Sequence, residues 1–316
     1  MKVAFLGTPQ FAVPTLEALM SAGHEVAAVY TQPDRPSGRG HELSQSWVKQ
    51  AALRLGLEVR QPERVRRPEP TAELGALGAD VFVVVGYGQI LPQTIIDLPR
   101  LGVVNVHASL LPRWRGAAPI QWSIAEGDTV TGVTTMMIDA GLDTGDILLK
   151  VETPIGAEEN ALELSRRLAP MGAELLIETL RLLARDECPR VPQDNSLATK
   201  ARILQREDGL IDWQRPAREI FNRARGFLPW PGAWTWFRGQ RFNVWKCRPV
   251  SSSEWIAGEP MAPGMVRAVG KRLLAGTGVG VIELLEVQAE GRKRVDGASF
   301  INGTRLTGDD MLGERS

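Results

Sequence analysis

Cysteine is almost missing from this chain. Its two thiols in 316 residues, Cys188 and Cys247, lie far apart in sequence, form no Cys-x-x-Cys pair and have no companion ligands. No zinc site of that kind is expected, and incidental or buried thiols are the reading left. No metal is expected elsewhere. No apolar run approaches the roughly 18 residues of a spanning helix, so no membrane association is expected. The formal net charge of +0 argues against a strongly basic nucleic-acid wrapper. The turn after the first apolar strand is Gly7-Thr8-Pro9 rather than Gly-x-Gly-x-x-Gly, which disfavours a nicotinamide enzyme. The absence of a Walker phosphate loop disfavours an ATP-driven ligase. No repeat suggests a solenoid. The chain opens on the strand Val3–Leu6, with no basic region before a long apolar run, so a cytoplasmic rather than secreted protein is expected.

What is present suggests two domains. Residues 1–186 carry 17 Lys+Arg and 22 Asp+Glu, a balance of −5; residues 187–316 carry 20 and 15, a balance of +5. A polyanion, if one is bound, is expected at the second half. Solvated surface charge is the competing explanation. The first half alternates strands (Val3–Leu6, Val26–Tyr30, Val59–Arg60, Val81–Val85, Val103–Val106, Thr131–Ile138, Ile147–Val151) with helices (Phe11–Ser21, Trp47–Leu55, Pro119–Ala125, Ala161–Leu183). That pattern predicts an α/β class with a doubly wound, mostly parallel sheet covered on both faces. Residues 32–46, with Pro33, Pro36, Gly38 and Gly40, read as a long loop. Cys188–Thr199 reads as a linker. Beyond it, a helix at Ala217–Arg225 precedes short strand candidates at Trp234–Phe237, Phe242–Cys247, Gly264–Val269, Leu273–Ala275, Val281–Leu285 and Glu286–Gln288. These suggest a small, largely antiparallel barrel. Tryptophans 230, 234, 236 and 245 read as core packing, with a base-stacking surface as the alternative.

The run from Val104 to Pro112 carries the chemistry. Period-two geometry places Asn105 and His107 on one side of a strand, offering an amide donor and an imidazole to one site. Asp143-Thr144-Gly145-Asp146 follows in a glycine-rich turn. Asn, His and Asp near strand ends suit acyl-type transfer, in which an oxygen gains charge and an amine loses a proton. The competing reading makes Asn105 a turn cap, His107 a satisfied core histidine and Asp143 a cap on the backbone of Gly145 or Asp146. For a partly apolar ligand slot, Gly86, Tyr87, Gly88, Gln89, Ile90 and Leu91 have the composition of one wall, and Ile138, Asp139, Ala140, Gly141 and Leu142 that of another. Ser109, Leu110, Leu111 and Pro112 follow His107 and Ala108 on the same run. Arg113 and Arg115 lie nearby, to meet ligand carboxylates, order the loop or meet phosphate.

The chain resembles the methionyl-tRNA formyltransferase family over nearly its whole length. The resemblance rests on Phe5-Leu6-Gly7-Thr8-Pro9 with Phe11, on Thr31–Pro36 with Gly38-Arg39-Gly40, on Val85–Gly88 with Ile90-Leu91-Pro92, on the run Asn105–Gln121 and on Gly141–Asp146. In the second half it rests on Ile211-Asp212-Trp213, Pro229-Trp230-Pro231 and Val244-Trp245-Lys246. Asn-x-His and Leu-Leu-Pro alone indicate the wider folate-dependent formyltransferase group; the Arg-Trp-Arg-Gly-Ala-Ala-Pro-Ile-Gln run makes the likeness specific. His41-Glu42 and Ser46-Trp47 depart from the usual pattern.

The resemblance implies a catalytic formyltransferase domain over residues 1–188, a linker over 189–204, and an open, OB-like β-barrel over 205–316 that holds initiator tRNA. It implies 10-formyltetrahydrofolate as donor and the α-amino group of the charged methionine as acceptor. Asn105, His107 and Asp143 match the catalytic residues, and the slot residues above, together with Ser109, Leu110, Leu111 and Pro112, match the folate site. Arg39 matches an arginine that recognises the acceptor end. Candidate phosphate contacts are Arg35 and Arg39, then Lys200, Arg202, Arg206, Lys246, Arg248, Lys271, Arg272, Arg292, Lys293 and Arg294. A monomer is expected. The nearest alternative is a formyltransferase acting on a sugar-nucleotide amine.

Overall fold

The computed structural model describes residues 1–37, 42–251, 254 and 261–313. The chain divides into two compact units. The first comprises Met1–Pro119, Val130–Pro154 and Leu164–Arg202, and the second Ile120–Thr129, Ile155–Glu163 and Ile203–Ser316. The sequence reading divides the chain once, at a linker over 189–204, whereas each of these units is discontinuous in sequence. The stretch taken as a linker is tied into the first unit: the backbones of Val191 and Ile147 exchange two hydrogen bonds of 2.9 Å each. A stretch with no hydrophobic periodicity reads as a linker because polar, long-range contacts leave no pattern in sequence.

The strands of the first unit are β1 (Lys2–Gly7), β2 (Glu25–Tyr30), β3 (Arg35–Ser37), β4 (Glu42–Ser44), β5 (Val59–Arg60), β6 (Val81–Val85), β7 (Val103–His107), β8 (Arg115–Gly116), β9 (Val130–Met137), β10 (Ile147–Pro154) and β11 (Lys200–Ala201). Seven of them form one sheet in the order β10-β9-β7-β6-β1-β2-β5. The pairs β2–β5, β1–β2, β1–β6 and β6–β7 are parallel, whereas β7–β9 and β9–β10 are antiparallel. The sheet is therefore mixed, with a parallel centre, as the helix-strand alternation predicts. Its central strands are buried along nearly all their length, which is why they read as largely apolar runs.

The helices are α1 (Val13–Ser21), α2 (Trp47–Arg54), α3 (Pro68–Ala76), α4 (Gln93–Ile96), α5 (Pro119–Ala125) and α6 (Ala161–Ala184). Helices α3 and α4 have no counterpart in the sequence reading. Only Leu74 is buried in α3, and α4 has 4 residues, so neither carries a usable apolar stripe. Helix α6 does: Leu164, Leu168, Leu176 and Leu180 are fully buried at four-residue spacing. Gly172 continues that row. A Cβ there would lie 2.9 Å from Val106 Cγ1 and 3.3 Å from Val133 Cγ1. The helix thus lies directly on the residue between Asn105 and His107, backing the face opposite theirs.

Part of the expected long loop is a hairpin. Strands β3 and β4 pair antiparallel, Arg35 with Ser44 and Ser37 with Glu42. Its base is pinned: Lys49 Nζ donates to Asp34 Oδ2 at 2.5 Å, Gln61 Nε2 donates to Asp34 Oδ1 at 2.8 Å, and Thr31 and Ser46 hydroxyls are 2.7 Å apart. Ser46, beside an unusual Trp47, is the N-cap of α2 and accepts from the Lys49 amide.

The second unit holds α5 from Ile120 on, together with α7 (Ala217–Gly226), β12 (Ala233–Phe237), β13 (Gln240–Pro249), β14 (Val266–Val269), β15 (Arg272–Gly276), β16 (Val281–Ala289), β17 (Val295–Asp296) and α8 (Gly297–Gly303). The sheet runs β12-β13-β16-β15-β14 with β17 on β16, all antiparallel. The two strand candidates at 281–288 are one strand. Residues 310–313 bond to both ends of the path: Val266 N donates to Asp310 O, Leu312 N to Gly264 O and Gly313 N to Trp236 O. Strands β12 and β14 do not pair with each other among the described residues. Phe237, Phe242 and Phe300 fill the interior with centroids 5.1–5.8 Å apart. Burial pushes the Cys247 thiol up to about 12, so this thiol stays protonated and inert at neutral pH.

Candidate active site

Strand β7 delivers Asn105 and His107 at its carboxyl end, next to β6 and its following turn Gly86-Tyr87-Gly88. This is the edge of a parallel sheet at which ligands bind. Both side chains are nearly enclosed, at 8% and 6% exposure. The Asp143 carboxylate closes the group. Its Oδ1 lies 3.5 Å from Asn105 Nδ2 and its Oδ2 lies 3.8 Å from His107 Nδ1. The backbone N–H of Gly116 donates to Oδ2 at 2.8 Å, which fixes the carboxylate from the far side. Asp143 reaches this position with φ 52, in the left-handed region where Asp is tolerated better than bulkier residues.

The expected competing role of Asp143, capping its own turn, falls instead to Asp139. Its Oδ1 accepts from the Gly141 amide at 3.0 Å and from Thr144 Oγ1 at 2.7 Å. Gly145 is required by packing, since a Cβ there would drive into the carbonyl oxygen of Met137.

His107 has a defined proton. Its Nε2 lies 2.9 Å from the carbonyl oxygen of Trp114. A carbonyl only accepts, so in the neutral ring Nε2 carries the hydrogen and Nδ1 holds the lone pair. The basic nitrogen is therefore the one beside Asp143. Trp114 itself sits at φ 62, an uncommon conformation for a bulky residue, and its N–H donates to Thr199 Oγ1 at 2.9 Å.

The side chains of several slot residues are packed or hydrogen-bonded within the protein, so any contact they make with a ligand falls to their backbone. Tyr87 and Leu91 belong to the core beneath β1, β2 and β6, and Leu111 packs with Met136 and Ile147. Burial raises the Tyr87 hydroxyl far above the ordinary tyrosine range. Gln89 spends its amide on the Val65 N–H at 2.7 Å and the Pro62 carbonyl at 3.0 Å. Ser109 donates to the Arg113 carbonyl at 2.6 Å. Leu110, Pro112 and Ile138 are half-buried. The alternation along 86–91 leaves Gly86, Gly88 and Ile90 outward, and Asp139–Leu142 are exposed as well. Ile90 and Leu142, at 89% and 66% exposure, are aliphatic side chains left without cover. Arg115 is an ordering residue: its Nε and Nη2 donate to Gln193 Oε1 at 3.0 and 2.9 Å.

Residues 1–180 match the family profile described as "Formyl transferase", and residues 203–305 match "Formyl transferase, C-terminal domain". The methionyl-tRNA formyltransferase of Solibacter usitatus is 60% identical over 99% of this chain and 99% of its own length. The chain belongs to the methionyl-tRNA formyltransferase family. That of Koribacter versatilis is 54% identical over the whole of both chains. Among solved structures, an N-formyltransferase from Helicobacter canadensis in complex with folinic acid and dTDP-3-aminofucose superposes with a TM-score of 0.65. It is 17% identical over 92% of this chain and 99% of that one, a likeness of fold alone.

In this formyltransferase-family chain the candidate cations fall into two groups. Arg248 pairs with Glu254 and Glu283, Arg272 with Glu283, and Arg294 with Glu286, so their charges are locally compensated. Arg248 in turn pulls the Glu254 carboxyl down to about 2. Lys246, Lys271, Arg292 and Lys293 are exposed and make no ion pair among the described residues, and Arg35, Lys200, Arg202 and Arg206 are exposed too. Arg39 lies outside the described residues. Of the tryptophans, Trp234 is buried between the guanidiniums of Arg206 and Arg241, at 5.8 and 4.7 Å from its ring. Trp245 donates to Gln288 and lies under Arg294, whereas Trp230 is exposed. The residues that sequence reading missed are Trp114, Gly116, Thr199 and Gln193. They act largely through backbone groups or from the presumed linker, where no pattern marks them. Among the described residues no helix is long and apolar enough to cross a membrane, and no His/Cys/Asp/Glu cluster is arranged to hold a metal.

Proposed function

We propose that this protein transfers the formyl group of 10-formyltetrahydrofolate to the α-amino group of methionyl initiator tRNA, in the cytoplasm, for initiation of translation. The observation that carries this reading is the convergence of Asn105, His107 and Asp143 in a chain 60% identical, end to end, to a methionyl-tRNA formyltransferase. The amine attacks the formyl carbon, the carbonyl oxygen gains charge, and the bond from that carbon to N10 then breaks as N10 takes a proton. Asn105 has two amide hydrogens; one points to Asp143 and the other, without a partner among the described residues, meets the oxyanion, a donor worth about 3–4 kcal/mol in comparable sites. His107 Nδ1 takes the amine proton, and Asp143 stabilises the imidazolium that forms. The pterin lies against the outward backbone of Gly86 and Gly88, with Ile90 and Leu142 giving apolar cover.

The second unit, read as an open OB-like barrel, holds tRNA through Lys246, Lys271, Arg292 and Lys293. The β3–β4 hairpin presents Arg35 to the acceptor end, where Arg39 is proposed as a second contact. The test is a mixture of protein, 10-formyltetrahydrofolate and charged initiator tRNA, following labelled formyl onto the aminoacyl end. Sugar-nucleotide amines, free methionine and elongator methionyl-tRNA run as parallel acceptors. Preferred transfer to a sugar amine overturns the proposal, as does formate release without an acceptor.

A further inference from the structure

We infer that Gln193 is a positioning residue for the reaction: its side-chain amide holds the Asp143 turn in the conformation that aims the carboxylate at Asn105 and His107. The inference rests on the formyl-transfer reading of the site and deepens it.

Gln193 Nε2 donates two hydrogen bonds of 2.8 Å each, to the backbone carbonyls of Asp143 and Gly145. Both amide hydrogens are thereby used on the turn that carries the carboxylate. The other end of the same amide, Oε1, accepts from Arg115 at 3.0 and 2.9 Å. Arg115 is 9% exposed and has no carboxylate partner among the described residues; Asn195 Oδ1 accepts its remaining bond at 2.9 Å. Its charge therefore falls on two neutral amides. A guanidinium on Oε1 polarises the Gln193 amide and strengthens donation from Nε2.

The same segment supports the rest of the group. The Thr199 hydroxyl accepts from the Trp114 N–H, and the Trp114 carbonyl fixes the His107 proton. Lys200–Ala201 pairs with Arg115–Gly116, and the Gly116 N–H binds Asp143 Oδ2. Two uncommon backbone conformations, at Trp114 and Asp143, are thus held from one short stretch, 193–201. Residues kept in such conformations persist only where their surroundings over-determine them. The Gln193 amide is the only side chain among the described residues that bonds to the Asp143 carbonyl.

Gln193→Glu separates positioning from anchoring. The carboxylate keeps, and strengthens, the acceptor for Arg115, so the segment stays attached. It loses both donors and sets an oxygen against two carbonyl oxygens, so the turn moves. A displacement of this kind lowers turnover rather than binding. In steady-state formylation of charged initiator tRNA, kcat is expected to fall about tenfold or more, on the scale of a misplaced catalytic group. The KM for tRNA and for 10-formyltetrahydrofolate should stay within about twofold, and the ion pair to Arg115 keeps the segment attached. If Gln193 only anchors the segment, the Glu variant keeps the parent kcat, and that result overturns the inference. A rise in KM with kcat unchanged overturns it too. Should the Glu variant not fold, Gln193→Met, of similar length without donors, is measured against the same criteria. Asn105→Ala and the parent enzyme run alongside. A parent that transfers no formyl group to the tRNA defeats the functional reading itself. An active parent, an impaired Asn105→Ala and an unimpaired Gln193→Glu defeat only this inference.

Discussion

The polar groups of the first unit and those of the second are handled in opposite ways. Asn105 and His107 are enclosed, the half-buried Asp143 closes over them, and each has a fixed partner, several of them backbone groups. Lys246, Lys271, Arg292 and Lys293 are exposed on turns and strand faces, and their side chains make no ion pair among the described residues. Chemistry requires a few groups at set distances, whereas holding a polyanion requires many charges at approximate ones. The two regions should therefore fail differently when altered.

The largest expected loss is at the enclosed group. Asn105→Ala, His107→Ala or Asp143→Ala should lower kcat by about 100-fold or more while tRNA affinity is kept, as removal of oxyanion donors and proton-transfer groups does. Stopped-flow formylation with parallel filter binding checks this. If kcat stays near the parent value, the first half of the comparison is broken.

Next comes the backing of the site. Gly172→Leu forces a side chain onto Val106 and Val133. Overpacking of this kind costs about 1–3 kcal/mol, and because the strand carries Asn105 and His107, kcat should fall together with the melting temperature. A loss of stability with full activity would show that the strand's position is not critical.

A smaller effect is expected in the second unit at Asp310. Its carboxylate takes a two-point bond from Arg238, at 2.7 Å to each oxygen, within the segment that bonds to both ends of the sheet path. The Arg238 guanidinium holds this carboxyl below its ordinary value of 3.8. A lowered folded-state value means that the contribution is complete above about pH 4 and is lost as pH falls through the lowered value. Asp310→Asn should therefore destabilise at neutral pH and flatten the acid limb of a urea-midpoint titration. An unchanged limb assigns acid sensitivity elsewhere.

Single cations should matter least. Lys271→Ala or Lys293→Ala is expected to weaken tRNA binding modestly and to reduce the slope of log K against log salt by about one unit per lost contact. Arg272→Ala should do less, because Glu283 already compensates it. Equal effects from paired and unpaired cations would erase the distinction between them.

The sequence by itself determined the alternation of strands and helices, the parallel centre of the sheet and the pairing of Asn105 with His107, because period two and period 3.6 are properties of local backbone geometry. It also marked the turn that carries Asp143. Tertiary structure decided what those residues touch. The tautomer of His107 depends on a carbonyl at Trp114, and the aim of Asp143 depends on Gly116 and Gln193. Backbone donors and acceptors are the same at every residue, so nothing in composition distinguishes the few that face a site. The stretch 189–204 read as a linker for the same reason: its role lies in polar contacts with residues some 50 to 85 positions away, at Asp143, Arg115 and Trp114. Tyr87 and Leu91 sat in a run with the composition of a binding wall, but the alternation of the chain turned them inward and left Gly86, Gly88 and Ile90 to face out. Which side is inward is set by what packs against the segment, and that is known only once the fold has formed.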